Sequence, residues 1–200
     1  LGDGYEAVIR ECACIAPRIG TFPQYAAIVL ENQRFMFTYH SGLVATHPYA
    51  SRWWQWLLDL RPILYYLSYG DGTVSTIGAF VNPLLCWGGL LALPVLAYRA
   101  AKRDRTALFI LVGYLAQVLP WVFISRLTFE YHYFAATLFL VLALGYVFDR
   151  LRQRGYLGIV YAFTAANGVL FALFFPVLTG VTIPRDYAWN VLKWLPDWPF

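Results

Sequence analysis

Residues Thr106–Ser125 read Thr-Ala-Leu-Phe-Ile-Leu-Val-Gly-Tyr-Leu-Ala-Gln-Val-Leu-Pro-Trp-Val-Phe-Ile-Ser, 20 positions without one Asp, Glu, Lys or Arg. A helix rises about 1.5 Å per residue, so roughly 20 apolar residues cross a hydrocarbon layer of about 30 Å. Three more charge-free runs share this character: Gly72–Tyr98, Tyr131–Phe148 and Gly155–Pro184, of 27, 18 and 30 residues. They predict spanning helices near Ala79–Tyr98, Thr106–Ser125, Tyr131–Phe148 and Tyr156–Leu178. The whole composition agrees. Hydrophobic residues make up 60% of the 200 and charged residues 13%, about half the share of an ordinary soluble domain. Mean hydropathy is +0.55. So few charges cannot cover the surface of a soluble fold, and the fold class is all-α integral membrane, with about four transmembrane helices.

The chain divides by composition. Residues 1–71 hold 11 of the 26 charges and no apolar stretch of spanning length, and read as an extracytoplasmic or interfacial segment. Residues 72–200 carry the four spans and a Trp-rich tail, Pro184–Phe200, that reads as interfacial. Orientation follows from the loops. Arg99, Lys102, Arg103 and Arg105 lie between the first two spans, and Arg150, Arg152 and Arg154 between the last two. Basic loops stay on the cytoplasmic side. The N-terminal segment, the Arg126 turn and the tail are therefore expected outside.

Several classes are excluded. The net charge of +4 sits at helix ends instead of along a stripe, so nucleic acid is not a partner. Cys12, Cys14 and Cys86 are badly spaced for zinc or a disulfide framework. No Gly-rich phosphate loop, His-Glu-x-x-His or Asp-x-Asp occurs, so no metal and no cofactor is expected. No signal peptide is evident, and a chain opening on Leu1 is expected to belong to a longer polypeptide.

Two polar clusters stand out. The first runs from Tyr39-His40-Ser41 through His47-Pro48-Tyr49, Ser51-Arg52-Trp53-Trp54-Gln55-Trp56 and Arg61-Pro62 to Tyr65-Tyr66. It reads either as a grip on a polar-headed amphiphile, with Arg, His and Tyr donors for phosphate oxygens, or as an aromatic membrane anchor. The second is Ser125-Arg126-Leu127-Thr128-Phe129-Glu130-Tyr131-His132-Tyr133-Phe134. Ionisable groups at membrane depth are costly and mark function. The bland alternative is an Arg126–Glu130 pair at (i, i+4) spacing that closes the turn. Asp59, Asp71 and Glu130 show no evident catalytic partner. Asn82-Pro83 reads as a helix cap.

In order, Phe35-Met36-Phe37-Thr38-Tyr39-His40-Ser41, His47-Pro48-Tyr49-Ala50-Ser51 with Trp53, Trp54 and Trp56, Arg61-Pro62 with Tyr65-Tyr66, Val81-Asn82-Pro83-Leu84-Leu85-Cys86-Trp87, and Arg126 before Tyr131-His132-Tyr133 resemble the C-terminal four-helix membrane region of the protein O-mannosyltransferases. The polyprenyl-phosphate branch found in bacteria is the most similar. The resemblance covers residues 30–180. Family members often carry Trp-Pro where Trp56-Leu57 stands, and Gly-Asn-Pro where Val81-Asn82-Pro83 stands.

The resemblance implies part of a GT-C type glycosyltransferase in a bacterial cell membrane. It would move mannose from a polyprenyl-phosphate-sugar donor in the membrane lipid to hydroxyls of a secreted or membrane protein acceptor, without a metal. It also implies that the catalytic acidic pair lies in an outer loop upstream of these residues, leaving no catalytic residue in this chain. Arg126, His132, Tyr131 and Tyr133 are expected to hold or shape the phosphate pocket, and His47, Tyr49 and Arg61 to line the same cavity. A related enzyme with a non-protein acceptor and a non-enzymatic helical membrane subunit are the alternatives. Polar groups collected at one rim, with none mid-membrane, disfavour a transporter.

Overall fold

A computed structural model describes residues 22–42 and 46–200. It divides into two compact units, Leu1–Ala45 and Thr46–Phe200. In the first, the described part is helix α1 (Phe22–Gly42), which carries Tyr39, His40 and Ser41. Cys12 and Cys14 lie outside the described residues. Everything below concerns the second unit.

Its scaffold is four long antiparallel helices: α3 (Pro83–Ala101), α4 (Arg105–Val122), α5 (Phe134–Gln153) and α6 (Leu157–Thr179). All four are long and apolar enough to cross a membrane. Their starts are written in the sequence. Asn82 Oδ1 accepts from the Leu84 and Leu85 amides at 3.1 and 3.5 Å, with Pro83 at the first helical position, a cap that contributes about 1 kcal/mol. Asp104 caps α4 the same way through the Thr106 and Ala107 amides. Helix α6 stops at Gly180, whose φ of 77° is the left-handed conformation glycine adopts without a Cβ clash.

Lipid tails match apolar side chains, so helix association in a membrane depends on close packing. Helices α3, α4 and α5 meet through small residues. A Cβ built on Gly89 would lie 2.6 Å from the Leu140 Cβ, and one on Gly113 would overlap the Phe139 ring. Leu96, Ala107, Ala143 and Leu140 are fully buried along this seam.

The two basic loops come together at one end. Tyr146 donates its hydroxyl to Asp104 Oδ2 at 2.7 Å, Arg150 reaches the same oxygen at 3.0 Å, and Arg99 lies 3.6 Å away. The Tyr146 hydroxyl, then the Ala107 amide, hold the Asp104 carboxyl below its ordinary range.

The opposite end is capped by structure that the apolar pattern alone did not predict. Strands β1 (Ile63–Gly70) and β2 (Thr73–Ala79) form an antiparallel hairpin, and the two-residue strand β3 (Ile183–Pro184) pairs with β2 to give the order β1-β2-β3. Gly70 faces Thr73 across the turn, and Gly72, the second of the two central residues, has a φ of 66°, which a type II turn requires at that position and glycine adopts without strain. The first span therefore begins at Pro83, later than the expected Ala79. The tail Arg185–Phe200 folds back on this sheet. Trp198 and Phe200 are buried against Phe80 and Phe174, with ring centroids 5.0–5.5 Å apart. The tail is thus partly core, while Trp189 and Trp194 remain exposed.

Candidate functional site

The short helix α2 (Trp53–Leu57) lies at the capped end and joins the two clusters of the sequence. The Ser51 amide donates to Thr128 O at 2.9 Å, and the Thr128 hydroxyl donates back to Ser51 O at 2.6 Å. Residues 77 positions apart thus share two hydrogen bonds. The Trp56 indole N–H donates to Ser51 Oγ at 2.8 Å, and Trp56, only 1% exposed, packs edge-on to Trp121 at 5.6 Å.

His132 sits in the resulting aromatic socket, on the single turn Glu130–Tyr133 that leads into α5. Its ring stacks on Tyr131 at 4.3 Å and on Trp56 at 5.9 Å, and meets Trp121 at 4.4 Å. Nδ1 lies 2.8 Å from Phe129 O and 3.2 Å from the Phe129 amide. It can donate to the first or accept from the second, so the tautomer is set by what Nε2 meets. Among the described residues Nε2 has no hydrogen-bond partner.

Arg126 lies half-buried, close enough to His132 for their charges to interact. It forms no ion pair or hydrogen bond among the described residues. The bland alternative for this turn fails here, because Glu130 points away from Arg126. Glu130 is 0% exposed, as is Asp59 two residues beyond α2. Their side chains lie within hydrogen-bonding range of each other. None of their four oxygens has a protein donor at full hydrogen-bond geometry. Burial pushes Asp59 up to about 6, against the opposing pull of Glu130 and the Val81 amide. Asp59 and Glu130, which show no evident catalytic partner in the sequence, lie against each other in the fold.

The remaining expected residues take definite places. His47 meets the Phe129 ring edge-on at 5.0 Å and packs on Tyr49 at 5.8 Å. The Tyr49 amide donates to His47 Nδ1 at 3.2 Å, and Arg61 clamps this loop by donating to Pro48 O at 2.8 Å. Tyr131 is exposed over Phe129 and His132. Tyr133 is 1% exposed and its hydroxyl meets that of Tyr114 at 2.8 Å, so it supports the turn from inside the bundle. Arg126, His132, Tyr131, His47, Tyr49 and Arg61 share one end. The sequence reading has Ser51 and Thr128 within the two clusters without a role of their own, and does not assign Trp121 or Trp198 to this site. A signal existed for Asp59: one acid in the apolar stretch Trp-Leu-Leu-Asp-Leu demands a buried partner. Among the described residues no group of three or more His, Cys, Asp or Glu could hold a metal ion.

Residues 26–198 match the family model described as the C-terminal four-transmembrane region of protein O-mannosyltransferase. A polyprenol-phosphate-mannose–protein mannosyltransferase of Mycobacterium tuberculosis is 35% identical over 188 residues, covering 81% of this chain and 35% of the relative. The Corynebacterium glutamicum protein of that name is 28% identical, over 88% of this chain and 38% of its own length. The chain thus spans little more than a third of these relatives. The fold is shared with the Saccharomyces cerevisiae protein O-mannosyltransferase Pmt1–Pmt2 complex bound to the sugar donor: TM-score 0.73, 22% identity, covering 90% of this chain and 27% of that one.

Proposed function

We propose that this chain, which belongs to the protein O-mannosyltransferase family as its C-terminal four-transmembrane region, holds the phosphate of a polyprenyl-phosphate-mannose donor at the capped end of its helix bundle. The single observation that carries this reading is Arg126. A half-buried guanidinium without a counter-charge is costly unless something anionic arrives, and the nearby acid, Glu130, is committed to the core.

The chemistry follows from the reaction type. When a Ser or Thr hydroxyl attacks the anomeric carbon, the bond to the lipid phosphate breaks and negative charge grows on the leaving oxygen. A guanidinium and an imidazole N–H are suited to stabilise that charge. With Nδ1 accepting from the Phe129 amide, the neutral His132 ring presents Nε2–H to the phosphate. Tyr131, His47 and Tyr49 flank the turn that carries His132, and Arg61 fixes the loop that carries His47. The carrier's chain lies in the surrounding membrane lipid, and the acceptor is a secreted or membrane protein.

Sidedness is part of the proposal. The basic end, with Lys102, Arg103, Arg152 and Arg154, faces the cytoplasm of a bacterial cell, and the cap with both terminal segments faces outward. A membrane-impermeant thiol reagent tests this on intact cells. Phe123→Cys, exposed at the cap end, is expected to be labelled, and Arg154→Cys only after the membrane is opened. The reverse pattern would refute an outward-facing transfer site.

A further inference from the structure

The Asp59–Glu130 pair sits where the cap is fastened to the bundle. Asp59 adopts a φ of 56°, which turns its carboxyl inward at the end of α2. Three successive carbonyls of this turn are each taken by a different partner. Leu57 O accepts from Cys86 Sγ at 3.5 Å, Leu58 O from Trp87 Nε1 at 3.1 Å, and Asp59 O from Trp198 Nε1 at 2.8 Å. The first two come from α3 and the third from the tail. Glu130 opens the turn that bears His132, four residues after Arg126. The two carboxyls thus connect the hub of the cap to the turn that carries the candidate phosphate ligands.

Two carboxylates side by side in a buried site cannot both ionise, because each charge raises the cost of the other. Among the described residues no cation forms an ion pair with either. The titratable groups that interact with them are Cys86 from α3 and Tyr133 from the Glu130 turn, with Tyr114 from α4 bonded to Tyr133 behind them. None of these carries positive charge. His132 faces Trp56, Trp121 and Tyr131, and Arg126 lies by His132. A single retained proton makes one carboxyl a donor and the other its acceptor.

We propose that Asp59 and Glu130 hold one proton between them at neutral pH, and that this shared-proton pair is the catch that positions the Arg126–His132 turn on the cap. Both are positioning residues and neither touches donor or acceptor. The consequence for mannosyl transfer rests on the function proposed above, whereas the shared proton does not.

Because Asp59 has a raised pKa in the folded protein, its contribution to stability is full below its ordinary value and declines as pH rises through about 6. Wild-type Tm in detergent should therefore fall from pH 4 toward pH 7, and Asp59→Asn should flatten that part of the profile. Glu130→Gln keeps a neutral donor for Asp59. It should unfold near the wild-type temperature at pH 7, and it should lose the infrared carbonyl band of a protonated carboxyl. Glu130→Ala strands Asp59 and should lower Tm by roughly 10 °C. In the transfer assay Glu130→Gln should retain most of wild-type kcat, and Glu130→Ala should lose it.

A wild-type protein without the protonated-carboxyl band at pH 7 would overturn the proposal. So would a Glu130→Gln protein as unstable as Glu130→Ala. Stability and infrared readouts do not depend on turnover. A wild type that shows the band yet transfers no mannose would refute the functional reading while supporting the shared proton.

Discussion

Arg126→Ala in the full-length protein is expected to lower kcat/KM for mannosyl transfer by about 100- to 1,000-fold, the usual loss when a group aimed at developing negative charge is removed. Membrane insertion and Tm should be unchanged, since Arg126 makes no ion pair or hydrogen bond among the described residues. That separation is what makes the variant informative. Most substitutions in this cap would damage folding and activity together. Arg126→Lys should fall between wild type and alanine, because an ammonium retains the charge but lacks the two-pronged donor geometry that matches phosphate oxygens. Steady-state transfer from a polyprenyl-phosphate-mannose to a Thr-bearing peptide, run beside thermal unfolding in detergent, checks both halves. Unchanged turnover in Arg126→Ala would remove Arg126 from the reaction.

The largest effect on stability is expected from Trp56→Ala. Trp56 is buried beneath the cap, bonded to Ser51 and packed against Trp121 and His132. Truncating a buried Trp costs about 3–5 kcal/mol, and at roughly 2–4 °C per kcal/mol for a domain of this size the Tm in detergent should fall by about 6–20 °C. Trp56→Phe separates packing from hydrogen bonding. It keeps a ring beneath His132 while giving up the bond to Ser51 Oγ and the volume of one of the indole's two rings, so its Tm should lie between alanine and wild type. Equal losses in the two variants would mean that the indole N–H, and not the ring, holds this junction.

The spanning helices were legible because the membrane imposes a length. A run such as Thr106–Ser125 has one stable arrangement across hydrocarbon, a helix with all its backbone bonds made internally. The caps were equally local: Asn82-Pro83 marks a helix start wherever it stands. The hairpin was not read, although its signal was present. Gly70-Asp71-Gly72 is a turn sequence, and in Thr73–Ala79 the residues Val74, Thr76 and Gly78 alternate with less buried neighbours. The charge-free run Gly72–Tyr98 hid that period of two inside a longer hydrophobic signal.

The candidate site was half legible. Residue types identified Arg126, His132 and His47 as chemically able to meet a phosphate, but the joining of two distant clusters by Ser51 and Thr128 is a tertiary fact with no local signature. For the same reason, sequence spacing paired Glu130 with Arg126 at (i, i+4). The turn is too short to be the helix that such pairing needs, and Glu130 instead finds Asp59, 71 positions earlier in the chain. Tyr133 lies between Tyr131 and the first turn of α5, and the same turn that exposes Tyr131 drives it inward.

Binding of a sugar-free polyprenyl phosphate to the full-length protein in nanodiscs tests most directly whether the capped end holds the donor's phosphate. Arg126→Ala should weaken it by roughly 10- to 100-fold, the loss expected for a charge-assisted hydrogen bond, while Lys102→Ala and Arg154→Ala at the basic end should bind as wild type does. Undiminished affinity in Arg126→Ala, or a loss confined to the two basic-end variants, would place the phosphate elsewhere and contradict the account.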